Sequence, residues 1–281
     1  MSNTEFTPHH INATAADLAG NNGIGRYIFL PGSDGRAKEI AQHFDNVVTK
    51  EHPRGHNLYL GTITHQGQTI DVATIASGMG CPSMEIILHE LFKLGAKRFL
   101  RIGTAGSLQA NMVRLGDIVN AQASVRDERT TTDYVPLEVP ALASLEFTSA
   151  ILLSAEKLGL SDNVHTGIIH CKGSFYAREF GQGPMKEQNN KYMDLLSECG
   201  VLASEMETAS LFIQSQLYDF ELRQLDGRNP EHRVLAGAIL AIIAVPPEQI
   251  KASILATSAV HNAISLALEA VRTMAANECL K

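Results

Sequence analysis

Two glycine-rich turns in this chain each carry an arginine, and a third segment carries two carboxylates. The turns lie in FLPGSDGR at Phe29–Arg36 and in FLRIGTAG at Phe99–Gly106, where apolar runs end. Backbone N–H groups and guanidinium groups at such turns can hold a phosphate. The third segment, ASEMETASL at Ala203–Leu211, places Glu205 and Glu207 on either side of a methionine. Because carboxylates accept hydrogen bonds from sugar hydroxyls, the combination favours chemistry between phosphate and a nucleoside.

Cleavage of an N-glycosidic bond by phosphate asks three things of a protein. It must hold a dianion beneath the anomeric carbon, stabilise an oxocarbenium-like sugar, and accommodate the departing base as that base gains negative charge. Arginine suits the first task because its fixed fork of donors matches pairs of phosphate oxygens and stays charged. The candidates for this role are Arg36, Arg54 and Arg101.

The elements that must position these residues alternate between strands and helices. Ligands of such α/β folds bind where strands end, and both arginine turns begin at such points. Apolar runs and turn residues predict strands at Tyr27–Leu30, Leu58–Thr64, Thr69–Ala76, Arg98–Ile102, Ile118–Val125, Thr166–Cys171 and Val234–Val245. Helical spacing of apolar residues predicts helices at Lys38–Phe44, Cys81–Leu94, Ala141–Leu158, Glu205–Leu217 and from about Glu248 to Ala276.

Composition narrows the class of protein. With 281 residues, 44% hydrophobic and 19% charged, the chain is globular and long enough for one large domain. A net charge of −7 argues against a general nucleic-acid binder. The longest apolar run, Val234–Val245, is shorter than the roughly 20 residues of a membrane span. Four separated cysteines without metal-ligand spacing, and an N-terminus without signal-peptide features, favour a cytoplasmic protein with buried, reduced thiols.

Taken in order, FLPGSDGR, FLRIGTAG, KGSFY at Lys172–Tyr176 and ASEMETASL resemble the nucleoside phosphorylase family and, within it, the uridine phosphorylases. The resemblance runs from about His10 to the final helix. It implies one α/β domain over residues 1–281, with a central mixed sheet flanked by helices and a flexible tail at 1–9. The implied reaction is phosphorolysis of uridine, extending to deoxyuridine or thymidine, which transfers a pentosyl group in nucleoside salvage.

The phosphate site follows from the same resemblance. It implies contacts from Gly32, Arg36, Arg101 and Thr104, with Arg54 of RGHNLYLG donated by a neighbouring subunit. The family turn usually reads PGDPxR, and PGSDGR preserves the spacing of its glycine and arginine. Inorganic phosphate is then a co-substrate. No redox cofactor is expected, since no GxGxxG follows a strand, and no residue is assigned to a metal.

The ribose site is implied in the same way. Glu207 would accept the ribose hydroxyls, Met206 would pack against the sugar, and Thr104 would lie near both ribose and phosphate. The segment HHINATAADL places His10 where the family brings a histidine from a neighbouring subunit to the 5′-hydroxyl. Arg101 and Glu207 are therefore the expected catalytic residues. Sites shared between chains imply a homo-oligomer, at least a dimer and commonly a hexamer of three dimers.

The base site departs from the family pattern. Phe175 corresponds to the aromatic residue that packs against uracil, but the usual FYxGQxR continues here as FYAREFGQGPMKE. Gln182 fits the glutamine only across an insertion, and Arg178 or Lys186 would supply the positive partner. Glu205 completes the expected base-binding set, with a structural pairing as the alternative for this carboxylate.

A second departure lies in Gly237–Pro247, where the chain reads AIIAVPPEQ. Uridine phosphorylases often carry Asn-Arg there, and bacterial purine enzymes carry an aspartate that protonates the purine. The missing acid weighs against purine phosphorolysis, and the missing Asn-Arg leaves strict uridine specificity open. The alternatives are a purine nucleoside phosphorylase, a nucleosidase that uses water, and a non-catalytic nucleoside-binding homologue. The small-molecule partners remain a nucleoside and phosphate, without nucleic acid or membrane.

Overall fold

A computed structural model describes residues 6–226, 233–245 and 254–279, and within them ten strands form one sheet. Parallel and antiparallel pairs both occur in it. The strands are β1 (Tyr27–Pro31), β2 (Asp45–Lys50), β3 (Leu58–His65), β4 (Gln68–Ile75), β5 (Arg98–Ser107), β6 (Ile118–Asp127), β7 (Ala141–Leu142), β8 (Val164–Lys172), β9 (Ala203–Glu205) and β10 (Leu235–Ala244). The mixed sheet implied by the family resemblance is confirmed.

Helices connect the strands in the same described ranges. They are α1 (Ala15–Leu18), α2 (Asp34–Ala41), α3 (Cys81–Lys93), α4 (Leu145–Lys157), α5 (Phe175–Phe180), α6 (Lys186–Glu198), α7 (Thr208–Asp226) and α8 (Ile254–Cys279). α4 and α8 pack on each other and on β10, while α3 packs on α7.

Strand β1 shows how the core is divided between the two faces of the sheet. Its side chains alternate in direction, as in any strand. Tyr27 and Phe29 join a hydrophobic cluster with residues of α2, α4 and α8, whereas Ile28 and Leu30 join a second cluster with residues of α3 and α7. All four side chains are buried. The predicted arrangement of a sheet with helices on its faces is therefore confirmed.

Strand β5 belongs to two parts of the sheet at once. Its first half pairs with β1 in the open part of the sheet, and its last residues pair with β9. β5 also pairs with β10, β10 with β6, β6 with β8 and β8 with β9, so five strands close a ring. The segment FLRIGTAG thus lies where the open sheet joins the ring.

The long free edge of the described sheet is β2. It pairs on one side with β3, and its residues are almost all exposed. The register of the pair shifts between Asp45 and Val48, and Asn46 has a positive φ of 55°. The edge strand is therefore interrupted by a bulge.

Helix α2 begins at Asp34, four residues before the predicted start at Lys38. Ser33 precedes it, and its hydroxyl accepts a hydrogen bond from the amide of Arg36 at 3.4 Å. This cap turns the chain into a helix directly after β1. The arginine of the first turn therefore lies on the helix.

Two other helices, in contrast, begin later than predicted. The helix expected from Ala141 begins at Leu145, because Ala141–Leu142 pairs with β6 as a short strand. The helix expected from Glu205 begins at Thr208, because Glu205 is the last residue of β9. Strand β2 and helices α5 and α6 were not predicted.

Two of the four cysteines lie next to each other in the fold although they are distant in sequence. Cys81 and Cys171 are buried with their sulfur atoms 3.5 Å apart, whereas Cys199 is exposed. The prediction of buried thiols is therefore wrong for Cys199. The side chain of Cys279 lies outside the described part.

Helix α8 has the length and hydropathy of a membrane-spanning helix, but half of its apolar stretch is buried inside the structure. Its buried residues, such as Leu266 and Ala267, belong to the cluster that contains α4. This is the position of a core helix. Its predicted beginning near Glu248 lies outside the described residues.

Candidate active site

The turn after β1 and the Arg101 side chain lie at the same edge of the sheet. The two strands are parallel, with Leu30 paired with Arg101, and α2 begins in the turn that starts at the partly exposed Gly32. Burial lowers the pKa of Arg36, Glu39 opposes this, and the nearby Arg101 guanidinium lowers it further. Two guanidinium groups within electrostatic reach form a cationic edge that suits a phosphate.

Arg101 is buried and paired with both carboxylates of the EMET segment. It is 3% exposed. Its Nε donates to Glu205 Oε2 at 3.1 Å, its Nη2 donates to Glu207 Oε2, and its Nη1 lies 3.5 Å from Ser77 Oγ. Burial alone would lower the pKa of Arg101, but Glu207 and Glu205 outweigh it and raise the pKa. The guanidinium is therefore fixed in direction and permanently charged.

Gly103 leaves room for this guanidinium. A Cβ atom at Gly103 would lie 2.9 Å from Arg101 Nη2 and 2.8 Å from a methyl carbon of Leu240. Both distances are shorter than real Cβ contacts, so any other residue at position 103 would displace the Leu240 or Arg101 side chain. Thr104 follows it on β5 and is partly exposed.

Glu207 joins Arg101 to the loop before α3. Its Oε1 accepts a hydrogen bond from the amide of Gly80 at 2.6 Å. Burial raises the pKa of Glu207, Arg101 opposes this, and the neighbouring Glu205 raises it further. Met206, the residue before it, is partly exposed. The carboxylate is thus held between a cation and a backbone donor.

Glu205 has a different environment. It accepts hydrogen bonds from the amides of Glu207 and Thr208 and from the Thr208 hydroxyl at 2.6 Å, besides the bond from Arg101. Burial alone would raise the pKa of Glu205, but Arg101 and Thr208 outweigh it and lower the pKa. Its carboxylate therefore caps the start of α7. This is the structural pairing that the sequence leaves open as the alternative to base binding.

Phe175 begins the short helix α5 and is half-buried. Its ring makes edge-to-face contacts with Tyr176 and Phe180, with ring centroids 5.3 and 5.2 Å apart. The Nζ atom of Lys172 lies 5.7 Å from the Phe175 centroid. The aromatic ring expected at the base is thus accompanied by a buried cation.

The other expected base-binding residues lie on α5 or follow it. Arg178 pairs with Asp127 through its Nε at 2.7 Å and donates to Asn189 Oδ1 at 2.6 Å. Gln182 and Lys186 are exposed and follow the end of α5. In the part of the chain that the structure describes, no hydrogen bond or ion pair joins these two side chains to the buried polar groups.

A chain of polar contacts runs from α5 into the ring of strands. Lys172 Nζ lies 2.9 Å from Glu179 Oε2 and donates to Ser204 Oγ at 2.9 Å. Ser204 Oγ lies 3.0 Å from His170 Nδ1, and His170 Nε2 lies 3.0 Å from Asp127 Oδ2. The chain therefore ends at the carboxylate that also pairs with Arg178.

None of these residues was predicted from the sequence motifs. Lys172 opens the KGSFY motif and Ser204 directly precedes Glu205, so both lie at the edges of recognised segments. His170 and Asp127 belong to strands and carry no motif of their own. Their pairing over 43 positions is visible only in the fold.

A cavity of about 710 Å³ borders this site. Gly80, whose amide binds Glu207, lies in its wall, as do Gly173 and Ser174 of KGSFY and Arg178. The cavity thus reaches from the ribose end of the expected site to the base end.

The N-terminal segment is attached to α3 through Glu90. The amides of His9, His10 and Ile11 donate to its carboxylate at 2.9 to 3.1 Å, and His10 Nδ1 lies 2.7 Å from Oε1. The Phe6 ring contacts His89 of the same helix. Of the expected tail at 1–9, residues 1–5 lie outside the described part.

Arg54 lies exposed in the loop between β2 and β3. Among the described residues, no hydrogen bond or ion pair joins Arg54 or His10 to Arg36, Arg101 or Glu207. Within one chain, these two residues are therefore separate from the cationic edge.

Comparison with known proteins places this geometry in a family. Residues 26–223 match the family described as the phosphorylase superfamily. The uridine phosphorylase of Treponema pallidum is 32% identical, over 95% of this chain and 93% of its own. The uridine phosphorylase of Thermococcus kodakarensis is 34% identical, over 76% and 74%. The guanosine phosphorylase of Halorubrum lacusprofundi is 30% identical, over 65% and 69%.

Proposed function

The chain belongs to the phosphorylase superfamily, and we propose that it catalyses the phosphorolysis of uridine to uracil and ribose 1-phosphate. The observation that carries the proposal is the pairing of buried Arg101 with Glu207 beside the turn that carries Arg36. This arrangement brings a phosphate-binding cation and a sugar-binding carboxylate into contact. Deoxyuridine and thymidine are further expected substrates.

Phosphate would bind at the edge formed by Gly32, Arg36, Arg101 and Thr104. Arg101 has five N–H donors, and its two carboxylate partners use two of them. Nη1, at 3.5 Å from Ser77 Oγ, remains available to a phosphate oxygen. The charge of Arg36 next to Arg101 favours binding of a dianion, because the anion relieves the repulsion between the guanidinium groups.

Ribose would bind against Glu207 and Met206. Each carboxylate oxygen can accept two hydrogen bonds, so Oε1 and Oε2 keep capacity for the ribose hydroxyls besides Gly80 and Arg101. As the sugar gains positive charge, the nearby phosphate dianion and this carboxylate both stabilise it. Departure of the base then leaves the pentosyl group bonded to a phosphate oxygen.

The pocket would be completed by a second copy of the chain. Arg54 and His10 are proposed to reach a neighbour's phosphate and 5′-hydroxyl, because neither contacts the cationic edge of its own chain. Met79, between the glycines of the loop before α3, is 87% exposed, and Tyr134 and Leu137 are also exposed. Such apolar side chains near the cavity suit a subunit interface. We therefore propose that the chain forms a homo-oligomer, which is at least a dimer and is expected to be a hexamer of three dimers.

Inorganic phosphate is the only co-substrate in this proposal, and no cofactor or metal is assigned a role. A cytoplasmic location is proposed with it, on the grounds of composition and charge. A nucleoside and phosphate are small metabolites, so neither nucleic acid nor membrane is needed as a partner.

The experiment that tests the proposal is an assay of uracil release from uridine with and without phosphate. We expect turnover only with phosphate, since phosphate is the nucleophile held by the arginines. Equal turnover in phosphate-free buffer would indicate a nucleosidase, and no turnover in either buffer would indicate a binding protein. Inosine, assayed in parallel, separates a pyrimidine from a purine enzyme.

A further inference from the structure

Two buried thiols face each other beside the cavity, and no role assigned above uses them. Cys81 is the first residue of α3, and Cys171 lies near the end of β8. Their sulfur atoms are 3.5 Å apart, and the two residues are 2% and 0% exposed. A disulfide, in which the sulfur atoms are about 2.05 Å apart, is the two-electron oxidation product of such a pair.

Each thiol is connected through the backbone to a carboxylate of the EMET segment. Gly80, directly before Cys81, donates its amide to Glu207 Oε1 at 2.6 Å. Cys171 is the register partner of Glu205, where β8 pairs with β9. A movement of either thiol is therefore transmitted to the support of a carboxylate.

Of the two thiols, Cys81 is the one with freedom to move. Cys171 lies inside the sheet, because β8 pairs with β6 on one side and with β9 on the other. Cys81 instead follows a loop in which Gly78 and Gly80 have positive φ values of 75° and 84°. Closing the gap between the sulfur atoms, by about 1.5 Å, would therefore displace Cys81 and the Gly80 amide with it.

The cavity gives a small oxidant access to one of the thiols. Cys81 lines the cavity of about 710 Å³, together with Gly80 and Pro82. Cys171 is fully buried next to it. Hydrogen peroxide is small and uncharged, so it can enter the cavity and meet Cys81 first, and Cys171 is then the thiol within reach of the oxidised sulfur.

The protonation of the thiols determines how strong an oxidative challenge the pair needs. The hydrogen bond with Cys171 lowers the pKa of Cys81, but burial and the nearby Glu128 and Glu205 outweigh it and raise the pKa. Burial raises the pKa of Cys171 well above its ordinary value. Because the thiolate is the reactive form, the pair stays reduced under ordinary conditions and is oxidised under sustained exposure to peroxide.

We propose that Cys81 and Cys171 form a site of reversible oxidation that controls the activity of the pocket. Hydrogen peroxide oxidises Cys81 to a sulfenic acid, as an S–O bond forms, the O–O bond breaks and one water leaves. The Cys171 sulfur then attacks the Cys81 sulfur, so that an S–S bond forms, the S–O bond breaks and a second water leaves. The two thiols lose two electrons and two protons in total, and the peroxide is reduced to water.

The disulfide would lower activity by displacing the backbone donor of Glu207. A shift of about 1 Å in a positioning group can cost about a hundredfold in rate, so we expect a loss of about tenfold or more. A dithiol reductant should reverse the loss. The effect on activity rests on the proposed function, whereas the formation of the disulfide does not depend on it.

The test exposes the full-length wild-type protein to an excess of hydrogen peroxide. Remaining free thiols are blocked with N-ethylmaleimide, and peptide mass spectrometry follows the Cys81–Cys171 link while uridine phosphorolysis is assayed. We expect the linked peptides to accumulate as activity falls about tenfold or more, and dithiothreitol to reverse both changes. Absence of the link, or a link that forms without loss of activity, would overturn the inference.

Two variants separate this pair from the exposed thiol of Cys199. Cys199→Ser should respond to peroxide like the wild type, because its thiol is not part of the pair. Cys171→Ala cannot form the link, so it should lack the loss of activity that dithiothreitol reverses. The same reversible loss in Cys171→Ala would contradict the role of the pair. If this variant does not fold, the peptide analysis of the wild type decides.

The mass measurement also keeps this inference apart from the proposed function. If the linked peptides form but the protein does not cleave uridine, the proposed function fails while the oxidation site stands. If uridine is cleaved but peroxide produces no link, the oxidation site fails while the proposed function stands.

Discussion

The two ends of the site hold their buried cations in different ways. Arg101 is fixed by two carboxylates on one continuous segment that links β9 to α7. Lys172 is fixed by one carboxylate on α5, a helix of six residues none of which is buried, and by a serine hydroxyl. The phosphate end is therefore built on the buried sheet, whereas the base end depends on a short peripheral helix. Substitutions on α5 can therefore change base choice and leave the phosphate site intact.

The strongest test of this contrast is Arg101→Ala. The change removes a charge-assisted contact to phosphate and leaves two buried carboxylates without their cation, so we expect a loss of about 3 kcal/mol or more of transition-state stabilisation, roughly a hundredfold in kcat/KM. Lysine should restore only part of the activity, because it lacks the fork of donors. Steady-state kinetics with uridine provide the measurement. Full activity of the alanine variant would show that Arg101 has no catalytic role, and the contrast between the two ends of the site would then be wrong.

A smaller effect should separate the two carboxylates that bind Arg101. Glu207→Gln exchanges a charged acceptor for an amide, so kcat/KM for uridine should fall by about tenfold or more. Because Arg101 keeps its hydrogen bond to Glu205 in this variant, the fold should persist and the melting temperature should stay close to that of the wild type.

Glu205→Gln should instead lower the free energy of unfolding, by about 2 kcal/mol, because it weakens the cap of α7. Thermal unfolding and kinetics of both variants are compared with those of Glu198→Gln, an exposed change at the end of α6. If Glu205→Gln proves the more damaging to catalysis and the less damaging to stability, the two carboxylates are assigned the wrong way round.

A third test asks whether another chain completes the phosphate and ribose end. His10→Ala subunits are mixed with Arg101→Ala subunits, each inactive as a homo-oligomer. In a mixed dimer, one of two pockets combines an intact His10 with an intact Arg101, so an equal random mixture should regain roughly a quarter of wild-type activity. Native mass spectrometry verifies that mixed oligomers form. Mixed oligomers without activity would assign both residues to the same chain's site.

The smallest expected effect concerns pH and the N-terminal segment. Burial alone would raise the pKa of Glu90, but hydrogen bonds from His10 and His9 outweigh it and lower the pKa. A lowered folded pKa means that the stabilisation is complete above the unfolded value of 4.5 and is lost as pH falls through the folded pKa. The melting temperature of the wild type should therefore approach that of Glu90→Gln in acid. A constant difference between them down to low pH would show that the carboxylate charge does not hold the segment.

The parts of this protein that could be predicted from sequence depend on local patterns. β1, β5 and the turns after them follow from apolar runs and glycines, and the arginines follow from the motifs. The cap by Glu205 could not be predicted, because two carboxylates two residues apart give no sign of which one meets Thr208. The Lys172 network was also beyond reach, since Asp127, His170 and Ser204 come from three different strands. Such pairings are fixed by strand order, which no single segment encodes.

The bulge in β2 has a consequence for how this protein behaves at high concentration. A long unpaired strand offers its N–H and C=O groups to any other chain in an extended conformation, which is a route to aggregation. Here the closed ring removes the opposite edge, and the register shift at Asp45 together with the left-handed Asn46 interrupts the exposed one. Lys50 ends the strand with a charge. Polymerisation through the open edge at β2 should therefore be suppressed. Subunits should instead contact one another through their side chains.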